Sequence, residues 1–431
     1  MTTSTIAIIL LVGVFLALII VRIPIPIALI ASTALSMIYL EIPLMTMVQQ
    51  MAKSINSFSL MAVPFFILAG EIMGAGGISD KMVDFANAIV GRFRGGLACV
   101  NCLDSMFFGG ISGSAVADVS SLGSIVIPMM EKSGYDREFA IALTVTTSCQ
   151  GVLIPPSHNM IFFALAAGGV SVGKLFLGGA IPGVMLGLAL MIYSLFVSHK
   201  RNYPKGEAFS FREIVKITID AMVALFTAVI IMGGVTLGFF TATESAAIAC
   251  IYAFLISVFL YKKLKIRMLP RILANVVNTL CLSFSLIAAA GAFGYVLAYL
   301  KVPALLTNFL LSVTDNRVIL LLLINVMLLF LGCIMDMAPI IFIVTPILLP
   351  VVTQLGMDTV QFGVMMIFNL AIGLCTPPVG SALFVGCAVG KSSIERVVKE
   401  LLPMYAVMIA CLLLVTFIPA LSTFLPNLIM P

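Results

Sequence analysis

Two proline pairs, Pro155-Pro156 and Pro377-Pro378, stand in the middle of long apolar runs, within Ile154-Pro-Pro-Ser-His-Asn159 and Thr376-Pro-Pro-Val-Gly-Ser381. Proline lacks an N–H and its ring clashes with the carbonyl of residue i−4, so two in succession open a helix and free several carbonyls. In hydrocarbon each unsatisfied backbone group costs several kcal/mol. A cation held by carbonyls and hydroxyls would remove that cost. Divalent Ca²⁺ or Mg²⁺ asks for more carboxylates than these segments hold, which leaves a monovalent ion, sodium first. Two coupling ions are expected, one per pair. The first site draws on Ser112, Gly113 and Ser114 together with Gly151 and Pro155; the second draws on Gly332, Asp336 and Met337 together with Gly373, Thr376 and Pro377.

A carboxylate at the depth expected for Asp336 costs about 2.5–3.5 kcal/mol on insertion scales, so it calls for a cation or proton partner. The other reading is a neutral, hydrogen-bonded Asp336 that locks its own loop. Half-helices starting after each break aim positive dipole ends into the same space, which suits an anionic substrate. Ser157, His158, Asn159, Gly380 and Ser381 lie there. His158 either donates to a carboxylate or carries a proton, or it caps the half-helix; His199, the other histidine, reads as an interfacial residue. Asp118 reads as a cap, and Asp104 and Glu71 as paired structural charges.

The elements that must position these residues follow from composition. The chain has 431 residues, 62% hydrophobic and 10% charged, with a mean hydropathy of +1.22. Globular domains carry nearer a quarter charged residues, and the apolar runs here match the length needed to cross a bilayer. Spans are expected near 5–21, 24–40, 58–76, 138–170, 174–198, 217–240, 243–261, 274–299, 359–390 and 400–426. Residues 5–20 lack the basic start and small-residue cleavage site of a signal peptide and read as a retained helix. Two further stretches, 95–130 and 318–353, are apolar on both arms and interrupted by Gly109 to Asp118 and by Gly332 to Pro339. They read as re-entrant hairpins, because non-helical backbone at membrane depth needs a protein or water-filled cover.

A shift of 222 residues aligns 108–171 with 330–393 without a gap, with thirteen identities. These include the helix breakers Gly110/Gly332, Pro128/Pro350, Gly151/Gly373 and both Pro-Pro pairs. The basic clusters at 200–216 and 262–271 bracket two helices and mark the cytoplasmic face. On that topology 19 of the 23 Lys and Arg lie inside, both termini lie outside, and the hairpins enter from opposite faces. Inverted repeats with interrupted helices are the pattern of a secondary transporter. The expected fold is therefore an all-α polytopic membrane protein. Scaffold is expected at 1–57, 174–273 and 397–431, and transport repeats at 58–173 and 274–396. Residues 41–57 and 301–315 would be linking arms.

Other function classes fall away. The net charge of +5 belongs to basic cytoplasmic loops, so no nucleic-acid partner is expected. The nine cysteines lie mostly in apolar segments and imply no disulfide framework, and Cys99-Val-Asn-Cys102 has no second pair. Gly386-Cys-Ala-Val-Gly-Lys-Ser392 is one residue short of a phosphate-binding loop and follows a membrane helix. Neither a zinc-protease pair nor a nucleophile elbow occurs, so no enzyme is expected.

Several motifs together resemble the large membrane subunit (M, or DctM-like) of the tripartite ATP-independent periplasmic, or TRAP, transporters. They are Pro64-Phe-Phe-Ile-Leu-Ala-Gly-Glu71, Ser112-Gly-Ser-Ala-Val-Ala-Asp118, Ile154-Pro-Pro-Ser157, Gly238-Phe-Phe-Thr-Ala-Thr-Glu244, Met335-Asp336 and Thr376-Pro-Pro-Val-Gly380. The resemblance covers nearly the whole chain. It implies an ion-transporter fold of elevator type and sodium-driven symport of organic acid anions across the bacterial inner membrane. It also implies two partners, a small four-helix Q subunit and a periplasmic substrate-binding protein. Cys149-Gln-Gly-Val-Leu-Ile-Pro-Pro-Ser-His-Asn159 looks like the sialic-acid branch, with C4-dicarboxylates and keto or sugar acids as alternatives. Glu244 either meets the binding protein or caps a helix. A stand-alone carrier or a channel of the same architecture is the rival reading.

Overall fold

The computed structural model describes residues 3–206, 209–313 and 316–430, and these residues form helices with no strand. Long apolar runs leave the backbone no partner except itself, and a helix satisfies it within the segment. The first third of the chain forms α1 (Thr3–Ile20), α2 (Ile25–Tyr39), α3 (Leu44–Ile55), α4 (Ala62–Ala75), α5 (Ile78–Val90), α6 (Gly96–Ser112), α7 (Ala115–Ser121) and α8 (Gly123–Lys132). Next come α9 (Arg137–Thr147), α10 (Gln150–Leu153), α11 (His158–Ala166), α12 (Val172–Lys200), α13 (Phe211–Thr236), α14 (Ala242–Leu255) and α15 (Leu269–Tyr299). The chain closes with α16 (Val302–Val313), α17 (Arg317–Ile334), α18 (Met337–Gln354), α19 (Thr359–Leu374), α20 (Ser381–Gly390), α21 (Ile394–Phe417) and α22 (Ala420–Ile429). Among the described residues nine helices are long and apolar enough to cross a membrane, ten when α9–α11 counts as one bent span.

Both interruptions occur where proline dictates them. The segments before and after Pro155-Pro156 meet at a 50° bend, and α19 ends at Leu374, just before the second pair. The two hairpins turn at Gly113-Ser114 and at Met335-Asp336. Gly113 adopts a left-handed φ of 63°, which glycine tolerates without a Cβ clash. In the stretches expected to be arms, α3 lies along α15, and α16 packs on α18. The last two residues expected in the second arm, 314 and 315, lie outside the described residues.

Three features differ from expectation. The C-terminal span near 400–426 is two helices: Ile418 leaves helical geometry (φ −113°, ψ 91°) ahead of Pro419, because the proline ring disfavours helical geometry in the residue before it. An additional amphipathic helix, α5, packs on α6 and α13; its Asp and Lys residues hide it from a search for apolar runs. Packing also cuts across the expected boundaries at 58, 174, 274 and 397. Helices α4, α13 and α14 pack together, whereas α12 lies among α6, α10, α19, α21 and α22. Small residues permit this approach. A Cβ on Gly179 would fall 2.3 Å from the Leu153 carbonyl oxygen, and one on Gly183 would fall 2.4 Å from Ile154 Cγ1.

The centre of this block is sealed. Every α9 residue from Phe139 to Thr147 and every α19 residue from Val360 to Leu374 is buried, as expected of helices enclosed on all sides. Polar side chains inside it pair across helices. Asn101 Nδ2 donates to Thr144 Oγ1 (2.7 Å), and Asn369 Nδ2 donates to Asn325 Oδ1 (2.7 Å), so the first arm of each hairpin is tied to a broken helix. On the side of the basic loops, Arg201 grips Glu400 (2.9 and 3.0 Å) and Asp136 (2.9 Å). Tyr203 donates to Asp136 at 2.6 Å; burial, then this bond, push its hydroxyl up to about 12, so it stays a donor.

Candidate functional site

The site begins where hairpin tips meet helix breaks. A Cβ on Gly109 would lie 2.4 Å from Gly151 Cα, and a Cβ on Gly373 would lie 2.5 Å from the Gly332 carbonyl carbon. Only glycine allows backbone to touch backbone this closely. The repeat alignment matched Gly110 with Gly332, yet Gly109 makes the contact with Gly151; Gly110 sits instead by the Pro155 carbonyl, 3.3 Å from its Cβ position. At the tip itself, Gly113 faces the Pro156 carbonyl, with 2.7 Å from its Cβ position to the oxygen. Gly113, Gly151 and Pro155 of the first expected cation site are thus brought together.

Among the described residues, the carbonyls of Gly151, Val152, Leu153, Ile154, Pro155 and Pro156 receive no hydrogen bond. The donors that would serve them in a continuous helix are missing at the two prolines and displaced beyond them. Of these, the Pro155 and Pro156 carbonyls lie against the glycine-built hairpin, where they could hold a small cation, whereas the Leu153 carbonyl points at Gly179 of α12. At the second break several carbonyls are used: Gly373 accepts from Thr376 N–H (2.9 Å), Thr376 from Gly380 N–H (3.1 Å) and Cys375 from the Tyr405 hydroxyl (2.6 Å). Val379 N–H reaches across to the Cys333 carbonyl on the hairpin at 3.1 Å. What this break has instead is a carboxylate, Asp336, at the start of α18 and open to the cavity. No group of three His, Cys, Asp or Glu side chains converges among the described residues.

A cavity of about 570 Å³ adjoins both tips, within the size range of small-molecule sites. Ser112, Ser114, His158, Asn159, Asp336 and Met337 line it; Ser157 is buried behind it, and Gly380 and Ser381 do not reach it. The opposite wall comes from Glu71 of α4 and from Asn275, Thr279 and Ser283 of α15, with Asn275 donating to Glu71 at 3.2 Å. Sequence reading assigned none of these to the cavity. The signal was present in α15 as polar residues four apart on one face of an apolar span. No Lys or Arg lines the cavity among the described residues. An anion there would be met by the unused N–H groups of His158 and Asn159 at the start of α11, a helix end with positive character.

Several side chains have roles other than those expected. Ser114, not Asp118, caps the second arm, accepting from Ala117 N–H at 3.4 Å. His158 makes no cap bond; it lies one residue inside α11 with its ring against Phe162 at 5.6 Å. Among the described residues Glu71 and Asp104 are not members of ion pairs: Glu71 bonds Asn275, and Asp104 is fully buried without a hydrogen-bond donor. Glu244, by contrast, takes one of its two expected roles, forming a capping box with Thr241 at the start of α14.

The fold has counterparts among solved structures. The YdaH transporter of Alcanivorax borkumensis matches with a TM-score of 0.63 over 86% of each chain, and MtrF of Neisseria gonorrhoeae with 0.57 over 86% of this chain and 83% of that one. Both are 14% identical, so this likeness concerns architecture. Sequence relatives are nearer. The sialic acid TRAP transporter large permease protein SiaM of Vibrio cholerae is 38% identical over 88% of this chain and 89% of its own length. The C4-dicarboxylate TRAP transporter large permease protein DctM of Rhodobacter capsulatus is 35% identical over 97% and 98%. The isethionate TRAP transporter permease protein DctMQ of Oleidesulfovibrio alaskensis is 39% identical over 96% of this chain and 65% of its own. The family described as tripartite ATP-independent periplasmic transporter, DctM component, matches residues 12–421, and with these relatives it establishes that the chain belongs to that family of membrane permeases.

Proposed function

We propose that this permease is a sodium-coupled symporter of an organic acid anion in the bacterial inner membrane. The observation that carries this reading is the pair of unbonded Pro155 and Pro156 carbonyls against the first hairpin, beside a cavity that no Lys or Arg lines among the described residues. Ions held at the breaks supply the positive charge that the cavity walls lack, so anion and sodium bind as a set. N-acetylneuraminate is the first substrate to test. Its hydroxyls suit a wall of Ser, Thr and Asn side chains, and Ser157-His158-Asn159 follows the first break. A C4-dicarboxylate or a keto or sugar acid is the alternative, because relatives named for different substrates are similarly identical.

The permease works with a small Q subunit and a periplasmic binding protein, and both of its termini face the periplasm. The block around α9–α12 and α19–α21 moves as a unit against the α4, α13 and α14 group. Two sodium ions with one monoanion carry one net charge per cycle, worth about 2.3 kcal/mol per 100 mV. Co-reconstitution with Q and a binding protein tests this: N-acetylneuraminate accumulates in sodium with inward positive current, whereas succinate, a dianion, accumulates in sodium with none. Accumulation undiminished in potassium or choline buffer overturns it.

A further inference from the structure

Two basic segments hold five Lys or Arg each, and the protein treats them differently. In the first, Lys200, Arg201, Lys205, Arg212 and Lys216 are interspersed with Glu207 and Glu213, and Arg201 is held by Asp136 and Glu400, each at 2.9 Å. In the second, Lys262, Lys263, Lys265, Arg267 and Arg271 have no such company, because the sequence contains no Asp or Glu from 245 to 314. All five are exposed, and among the described residues none of their side chains forms an ion pair or a hydrogen bond. Asp220 comes near this segment, its backbone carbonyl accepting from the Tyr261 hydroxyl at 2.7 Å. Its carboxylate is already taken by Lys81 at 3.3 Å, so it leaves the five charges uncompensated.

The position of these cations is set by the spans beside them. Ala242–Leu260 and Ile266–Tyr299 are both long and apolar enough to cross the membrane, and only 261–265 separates them. Three of the cations therefore stand at a span end, and the long side chains of Arg267 and Arg271 can reach the same level. Around them Phe259, Leu260 and Ile266 are 68%, 55% and 74% exposed. An unpaired positive patch edged by apolar side chains fits a ligand that is negative at its head and apolar below, which is an anionic phospholipid. A soluble anion would meet the charge and leave the apolar edge uncovered.

We propose that the turn from α14 to α15 is a docking surface for anionic phospholipid, with the phosphodiester on the five cations and the acyl chains against Phe259, Leu260 and Ile266. The inference goes beyond the transport reading and does not depend on which anion or ion is carried. One helical turn past Arg271, α15 reaches Asn275, which places this surface at the base of the helix that carries the cavity wall.

Lipid retention tests the proposal without requiring transport. Purified permease with Q is exchanged into detergent containing equal amounts of phosphatidylglycerol and phosphatidylcholine, and the retained lipids are counted by mass spectrometry. Wild type should prefer phosphatidylglycerol about tenfold. Lys262→Gln with Lys265→Gln should bring the ratio close to one, Lys262→Arg with Lys265→Arg should keep it, and Lys200→Gln with Lys205→Gln should leave it unchanged. On wild type, a photoactivatable phosphatidylglycerol should label the peptide 259–271. Equal retention of the two lipids by wild type, or labelling confined to other segments, overturns the proposal whatever the variants do. A loss of preference in the Lys200 and Lys205 variant as large as in the Lys262 and Lys265 variant also overturns it, since net charge alone would then be the cause. Displacement of the lipid by an equal concentration of glycerol 3-phosphate would reveal a soluble-anion site and overturn it likewise.

Discussion

The two helix breaks share a Pro-Pro signature 222 residues apart but resolve it by different chemistry. At the first, among the described residues, six carbonyls in a row go without a donor, and the side chain of the adjoining Ser157 is buried unpaired. At the second, Thr376, Gly380 and Tyr405 satisfy three carbonyls, Val379 pins the break to its hairpin, and Asp336 brings a negative charge. Identical helix breakers therefore create the same demand, and the neighbours decide whether protein or ligand meets it. A site of neutral carbonyls depends on dipoles and snug geometry. A site with a carboxylate can bind through charge alone and tolerates more internal bonding.

That contrast can be broken experimentally, most severely by closing the breaks. Replacing Pro155 and Pro156 with alanine restores N–H donors to Gly151 and Val152 and should abolish sodium-dependent uptake, a fall on the order of 100-fold or more, about 3 kcal/mol. The same change at Pro377 and Pro378 should cost less, because part of that break is already bonded. Equal losses, or the reverse order, would remove the distinction. Next in size, Asp336→Asn should weaken sodium activation of uptake about tenfold, the effect of roughly 1.4 kcal/mol, and reduce the steepness of its sodium dependence. Unchanged sodium activation would return Asp336 to the role of a neutral lock.

Smaller effects sharpen the comparison. Tyr405→Phe strips the Cys375 carbonyl of its donor and should lower stability by about 1–3 kcal/mol, read as a fall in Tm, with little change in sodium activation. Thr376→Val removes the Oγ1 bond to the Ile372 carbonyl (2.8 Å). Since Cys375 N–H also reaches that carbonyl, at 3.1 Å, the expected loss is about 0.5–1 kcal/mol. A drop in Tm as large as that of Tyr405→Phe would mean that the second break relies on Thr376 more than its bonding indicates.

Some of this was visible in the residues themselves. Pro155-Pro156 and Pro377-Pro378 announce their breaks because a missing N–H is a property of the residue. Gly113 marks its turn for a similar reason, and the 222-residue repeat shows that there are two of each. Other features were hidden or misread. Helix α5 escaped because its charges interrupt the apolar signal, and α12 was assigned to the scaffold although Gly179, Gly183 and Gly187 form a small-residue face. The split at Pro419 was missed inside an otherwise continuous apolar run.

By itself, then, the sequence determined that backbone carbonyls would be freed at two places inside the membrane, and that glycines would let hairpin tips come near them. Only the tertiary structure decided which carbonyls stay bare, because their donors come from distant segments: Tyr405 lies 30 residues from Cys375. It likewise decided that Glu71, Asn275, Thr279 and Ser283 face the cavity and that Asp104 is buried with no hydrogen-bond donor among the described residues. Helix breaking is written into each residue's own covalent geometry, whereas satisfaction of a polar group depends on what packs against it.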